Sequence, residues 1–290
     1  MTSADHHNEI RHWVDTTAGP IEVREMGTGP SALLFVHGVL VDSHLWDGVA
    51  ARAAELGYRC LLPTLPLGAH TRPMKPDADL RPPALADLVA DIAAAFEVQR
   101  ITLVGNDTGG ALSQIAAARH PELVRALVLT SCDAYDHFPP PCLRWLFSLA
   151  RVPGTLQLSA FLTRSRRVRG LAVPRLLAHH APTDEVVRGW TRPLRDKAVR
   201  RDIRAVFAGI DTAYTVDAVA RLRDRRDPTL LAWGADDRVF GLELGRRLAA
   251  DIPGSRLEVI DDCAAFVPLD APTLIADLIH ELHIEARPPT

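Results

Sequence analysis

At 290 residues the chain can bury a large core, either as one domain or as a domain carrying an insertion. Only 24% of residues are charged and the net charge is −3, so no global excess of either sign points to nucleic acid or to an anionic membrane surface. Cys60, Cys132, Cys142 and Cys263 stand far apart with no CxxC pair, which reads as free thiols in a reducing compartment.

Met1–Asn8 is polar and without an apolar stretch, so no signal peptide is expected. No apolar run approaches the ~18 residues that span a bilayer. These features lead us to expect a cytoplasmic chain, monomer or homodimer, with no membrane and no nucleic-acid partner.

In chain order, His12 to Glu25 reads as a β-hairpin turning through Gly19-Pro20. Ala32-Leu33-Leu34-Phe35-Val36 is continuously apolar, as suits a strand buried on both faces of a parallel sheet, and it ends in His37-Gly38. An Ala-rich helix over about Trp46–Leu56 precedes a strand at Cys60-Leu61-Leu62. Residues 63–83 form a Pro-rich loop, and a helix over about Ala84–Phe96 presents Leu85, Leu88, Val89 and Ile92 on one face.

The strand run Ile101–Val104 then leads into Gly105-Asn106-Asp107-Thr108-Gly109-Gly110, followed by a helix that closes at His120-Pro121. Glycines two residues either side of one reactive side chain, at a sharp strand-to-helix reversal, form a nucleophile elbow. The residue at its tip is an aspartate. Ala126–Leu129 is another buried strand, and the regular alternation predicts a doubly wound, mostly parallel α/β sheet.

From about Pro139 to Ala205 only helical candidates occur, punctuated by Pro153-Gly154, Pro174, Pro182 and Pro193. The segment is dense in arginine, including Arg164, Arg166, Arg167, Arg169 and Arg175, which we read as a solvated outer face. Strands at Thr229–Gly234 and Leu257–Ile260 and helices at about Leu242–Ala250 and Thr273–His283 restore the α/β pattern before the tail Ala286–Thr290, expected to be disordered. This order divides the chain into an α/β core over 1–134 and 212–290 and an inserted helical cap over 135–211.

His37-Gly38 after the third strand, the Gly105-to-Gly109 elbow and Gly234-Ala235-Asp236-Asp237 beyond the cap together resemble the α/β-hydrolase fold, over nearly the entire chain. Asp107 at the elbow resembles the aspartate-nucleophile branch, which contains haloalkane dehalogenases and epoxide hydrolases. A carboxylate beside a helix N-terminus is favoured in its ionised form and can attack an electrophilic sp3 carbon to form an ester. The resemblance implies an oxyanion hole from the backbone N–H groups of Thr108 and Val39. It implies Asp237 as the acid that orients a catalytic histidine, with Asp133 as the alternative acid.

The histidine itself is missing from its place. Phe266 and Pro268 keep the register of the family's segment after the last strand, and Ala265 occupies the position where the histidine belongs. Either the position is an engineered substitution or the natural protein is repurposed. His70 in the Pro-rich loop is the substitute candidate.

Epoxide hydrolases resemble each other in placing two cap tyrosines over the substrate, and here Tyr135 and Tyr214 flank the cap. Dehalogenases usually carry a Trp after the nucleophile, where this chain has Thr108, so the reading leans towards epoxide hydrolases. His37, Trp46, Tyr135 and Trp145, with Trp190 and Phe138, are candidates to line a substrate pocket beneath the cap. No metal-ligand spacing, phosphate loop or nucleotide motif is present, and ester chemistry at an aspartate needs no cofactor. The resulting expectation is a hydrolase acting on a small organic electrophile through a covalent ester, impaired in hydrolysis. The alternative is a catalytically degenerate relative that binds a small molecule.

Overall fold

The computed structural model describes residues 9–171 and 176–285. The N-terminal octapeptide, Pro174, Arg175 and the tail 286–290 lie outside the described residues. Among the described residues eight strands form one sheet: β1 (Ile10–Asp15), β2 (Pro20–Met26), β3 (Ser31–Val36), β4 (Tyr58–Thr64), β5 (Ile101–Asp107), β6 (Val124–Cys132), β7 (Thr229–Gly234) and β8 (Ser255–Ile260). Their order is β1-β2-β4-β3-β5-β6-β7-β8. The β1/β2 hairpin and the β2/β4 pair are antiparallel, and every other neighbour is parallel.

Alternate side chains of the central strands feed two cores. Leu34, Val36, Leu103, Leu127, Leu129, Leu231 and Trp233 face the helices Pro82–Ala95, Thr108–Arg119, Thr212–Leu222 and Leu242–Asp251. Leu33, Phe35, Val104, Val128, Leu230 and Ala232 face the helices Asp47–Glu55 and Pro272–Glu285. Each fully buried aliphatic or aromatic side chain contributes roughly 1.5–3 kcal/mol, so the strands are held from both faces. Their carboxyl ends form a rigid edge from which loops can present chemistry.

Between β6 and β7 run the helices Arg144–Arg151, Thr155–Leu162, Asp184–Thr191 and Lys197–Gly209. Thr212–Leu222 rejoins the sheet by packing on Thr108–Arg119. The helical segment is fastened to the loops at the strand ends by buried polar contacts. Trp190 Nε1–H donates to Asp42 Oδ1 (2.8 Å), and Asp202 Oδ2 accepts from the Met74 amide (2.9 Å) and faces His70 Nε2 (3.2 Å).

All four cysteines carry free thiols. Among the described residues no helix is long and apolar enough to cross a membrane.

Candidate active site

Strand β5 ends at Asp107, and the helix Thr108–Arg119 starts on the next residue. Asp107 has φ 55° and ψ −133°, a conformation that a residue with a Cβ holds at a cost of about 1–3 kcal/mol. The flanking glycines make the reversal possible. A Cβ on Gly105 would fall 2.5 Å from Ser113 Oγ, and one on Gly109 would collide with the Val36 carbonyl oxygen. The helix therefore starts in direct contact with the sheet, and the Asp107 side chain stands at the carboxyl edge.

Its two oxygens have different surroundings. Oδ1 accepts from the Thr108 amide at 2.5 Å and lies 3.1 Å from Thr108 Oγ1. Oδ2 faces the loop after β3, where a Cβ on Gly38 would sit 2.7 Å from it. The next residue, Val39, is half-buried against the core, and Leu40 takes φ 62° with its amide bonded to the Leu67 carbonyl (2.8 Å). Gly38 is thus brought against the carboxylate because glycine alone leaves room there.

Two further carboxyl groups are close. Asp133 Oδ2 lies 3.1 Å from Thr108 Oγ1, and its Oδ1 is buried without a hydrogen-bond partner. Asp237, in the loop after β7, accepts from the amides of Val239 (2.8 Å) and Phe240 (3.1 Å) through Oδ1, while its Oδ2 has no partner. Burial pushes all three carboxyls up. Asp107 reaches about 6, lifted by desolvation and the nearby Asp237 and held down by the Thr108 amide and hydroxyl. Asp133 is pushed well above the usual carboxylate range by desolvation and then by the negative charge of Asp107. Asp237 is raised by desolvation against its backbone donors.

A hydroxyl has one hydrogen and can donate to only one of its two carboxyl neighbours. Thr108 Oγ1 lies within reach of both Asp107 Oδ1 and Asp133 Oδ2, so its single hydrogen is shared between the elbow carboxylate and a carboxyl that burial and the Asp107 charge hold towards its neutral form.

Ala265 lies in the loop after β8, fully enclosed, and its carbonyl accepts from Asn106 Nδ2 (2.9 Å). The same amide reaches the Thr130 and Ser131 carbonyls, so Asn106 ties the elbow to the ends of its neighbours. Sequence reasoning missed it. A buried amide beside the elbow aspartate, in an otherwise apolar strand, was the available signal.

The alpha/beta hydrolase fold family matches residues 31–272. This chain belongs to the α/β-hydrolase fold family. A Bacillus subtilis protein, the uncharacterized hydrolase YugF, is 30% identical over 202 residues, covering 67% of this chain and 69% of that protein. Haloalkane dehalogenase 2 of Mycobacterium bovis is 26% identical over 280 residues, 93% of each chain. Among solved structures, the haloalkane dehalogenase DbeA of Bradyrhizobium elkani superimposes with a TM-score of 0.75 at 21% identity, covering 96% of this chain and 100% of that one. That likeness concerns the fold.

In this α/β-hydrolase several expected pocket residues are engaged elsewhere. His37 is fully enclosed, with Nε2 accepting from the Leu65 amide (2.9 Å) and Nδ1 on the Gly38 carbonyl (2.8 Å). Burial lowers it to about 4, so it is a neutral brace for two loops. Trp46 packs on Phe35 in the second core, with ring centroids 5.2 Å apart. The hydroxyl of Tyr135 donates to Asp251 Oδ2 (2.7 Å), and Arg247 covers its ring, which directs it away from a substrate.

Tyr214 lines a shallow surface cavity with Pro83 and Arg221. Trp145 is 64% exposed on the outside of the helical segment. His70 is bound to Asp202 and braces the Pro-rich loop against the inserted helices. Among the described residues no cluster of three or more His, Cys, Asp or Glu side chains is arranged to hold a metal.

Proposed function

We propose that this α/β-hydrolase attacks a small organic electrophile of the alkyl-halide or epoxide type with Asp107, and forms a covalent ester that it hydrolyses poorly. The observation that carries this reading is the unequal environment of the Asp107 carboxylate. Oδ1 is fixed by the Thr108 amide and hydroxyl, while Oδ2 is turned to the Gly38 loop. An oxygen so held is ready to form a bond to carbon as the leaving group departs with its electron pair. Oδ1 would then become the ester carbonyl oxygen, already seated on the donors that stabilise negative charge during hydrolysis.

The leaning towards epoxides is reversed in this proposal. Tyr135 is committed to Asp251 and Tyr214 to the surface, so neither supports an acid for an epoxide oxygen. An alkyl halide needs no proton on its leaving group, and a haloalkane dehalogenase is among the relatives. Deacylation needs a general base, a role worth about 10²–10⁴ in rate. Ala265 offers none, and the charges acting on Asp107 and Asp133 come from carboxyl groups.

Intact-protein mass spectrometry after incubation with primary alkyl bromides and terminal epoxides tests the proposal. One stoichiometric adduct is expected, absent in Asp107→Asn. No adduct from either series removes the reading. Ala265 supplies no base, which favours one other possibility, the binding of a small molecule without chemistry. In that case binding survives Asp107→Asn and no adduct forms.

A further inference from the structure

The net charge of −3 conceals a strong asymmetry. The stretch Pro139–Thr183 contains seven arginines and no aspartate or glutamate, so it carries +7 while the rest of the chain carries −10. Within the same stretch two short helices are apolar on two sides. On Arg144–Arg151 the inward residues Phe147 and Ala150 join the core, and Phe147 packs against Phe207 at 4.7 Å between ring centroids. The outward residues Trp145, Leu149 and Val152, at i, i+4 and i+7, form a second stripe that meets solvent.

The helix Thr155–Leu162 repeats the arrangement. Leu156 and Ala160 point inward, whereas Leu158 and Phe161 are 57% and 61% exposed beside Leu162. A soluble helix ordinarily presents polar residues on its second face. Large side chains exposed together on adjacent helices mark a surface that something covers.

The arginines around this face are not neutralised by carboxylates. Arg144 donates to the Asp136 and Pro139 carbonyls, and Arg151 to the Phe207 carbonyl. Arg164 stacks over Phe161 at 5.5 Å, and Arg167 is exposed. Arg169 and Arg166 differ, lying 2.7 Å and 3.9 Å from the carboxylate of Asp184. A self-complementary contact with a second copy would set this acid-free surface against itself, arginine facing arginine.

We infer that the outer face of the helices Arg144–Arg151 and Thr155–Leu162 docks on an anionic lipid surface, with Trp145, Leu149, Leu158 and Phe161 entering the headgroup region and the arginines meeting lipid phosphates. Aromatic and leucine side chains on one face, flanked by arginine, are the composition of interfacial helices that lie on a bilayer without crossing it. Each basic side chain near an anionic leaflet adds to the attraction, and the attraction is screened by salt. The global balance that argued against a membrane surface averages over this local separation. The inference is independent of the chemistry at Asp107.

Vesicle co-sedimentation tests it, comparing phosphatidylcholine alone with phosphatidylcholine containing about one third phosphatidylglycerol. Partition onto the anionic vesicles is expected to be at least tenfold stronger and to be lost at high salt. The tryptophan emission should shift to the blue on binding, and this shift should vanish in Trp145→Phe. The double variant Trp145→Ser/Phe161→Ser and the charge variant Arg164→Glu/Arg167→Glu should each weaken binding about tenfold while keeping the far-UV circular dichroism of the parent. Equal partition onto the two vesicles, or none, overturns the inference. So does a monomer–dimer equilibrium in sedimentation velocity that Trp145→Ser/Phe161→Ser abolishes, because a second copy would then own the face.

Discussion

The carboxyl of Asp133 and the hydroxyl of Thr108 stand 3.1 Å apart, and the same hydroxyl stands 3.1 Å from Asp107. One hydroxyl hydrogen serves two carboxyl groups, so it can be donated to only one of them at a time. In Thr108→Val the shape is kept and the hydroxyl is lost. Asp107 then loses a donor to its ionised form, so the pH profile of adduct formation should move above the parent's midpoint of about 6. Stability should fall by roughly 1–3 kcal/mol as Asp133 loses its partner. An unmoved pH profile would show that the hydroxyl does not act on Asp107.

Asp107→Asn should make the protein more stable at pH 8 and much less so at pH 4. The sign follows from a carboxyl whose folded value, about 6, is raised above its ordinary 3.8. Such a group contributes fully below the ordinary value, and that contribution is lost as pH rises through the folded one, with a ceiling of about 3 kcal/mol. Asparagine keeps the elbow's backbone and removes the titration. Equal gains at both pH values in denaturant titrations would assign the elbow's cost to sterics alone.

Gly38→Ala should uncouple folding from chemistry. The new Cβ falls 2.7 Å from the Asp107 side chain, which must turn aside. Adduct formation should drop by about a hundredfold for a displacement on the order of 1 Å. Unfolding should remain a single cooperative transition, and an adduct rate equal to the parent's would place the attacking oxygen elsewhere.

Ala265→His should add turnover where the parent stalls. A base at this position is expected to accelerate ester hydrolysis by about 10²–10⁴, read as loss of the mass adduct with time. Because Ala265 is fully enclosed, the imidazole should also cost roughly 1–3 kcal/mol of stability. A variant that folds and holds its adduct as long as the parent would break the link between this position and Asp107.

The sheet was legible because parallel strands buried on both faces read as unbroken apolar runs, as in Ala32–Val36 and Ile101–Val104. Strand β6 runs on to Cys132, past the expected end, because Thr130 and Ser131 look like a loop in sequence yet are enclosed. The helix expected from Ala84 begins at Pro82, since proline suits a first turn that needs no amide hydrogen.

The sharp turns at Gly38 and at Asp107-Thr108 were readable because each is set by residues adjacent in sequence. Tyr135, His70 and Trp46 were misread because their directions depend on Asp251, Asp202 and Phe35, which no local pattern connects to them. Trp145 was misread for another reason: a solvent-facing apolar stripe has the same spacing as a core-facing one.

The loop that carries Ala265 is held through its main chain. Asn106 holds the Ala265 carbonyl, the Phe266 amide donates to the Leu177 carbonyl (2.6 Å), the Ala264 amide donates to Asp270 (3.0 Å), and the Cys263 carbonyl accepts from the Asp236 amide (2.9 Å). None of these bonds uses the side chain at 265. An ancestor could therefore exchange that side chain by changing a single codon and keep the loop's path. Gain and loss of activity would then be near neighbours in sequence space, separated by one codon and a small loss of packing.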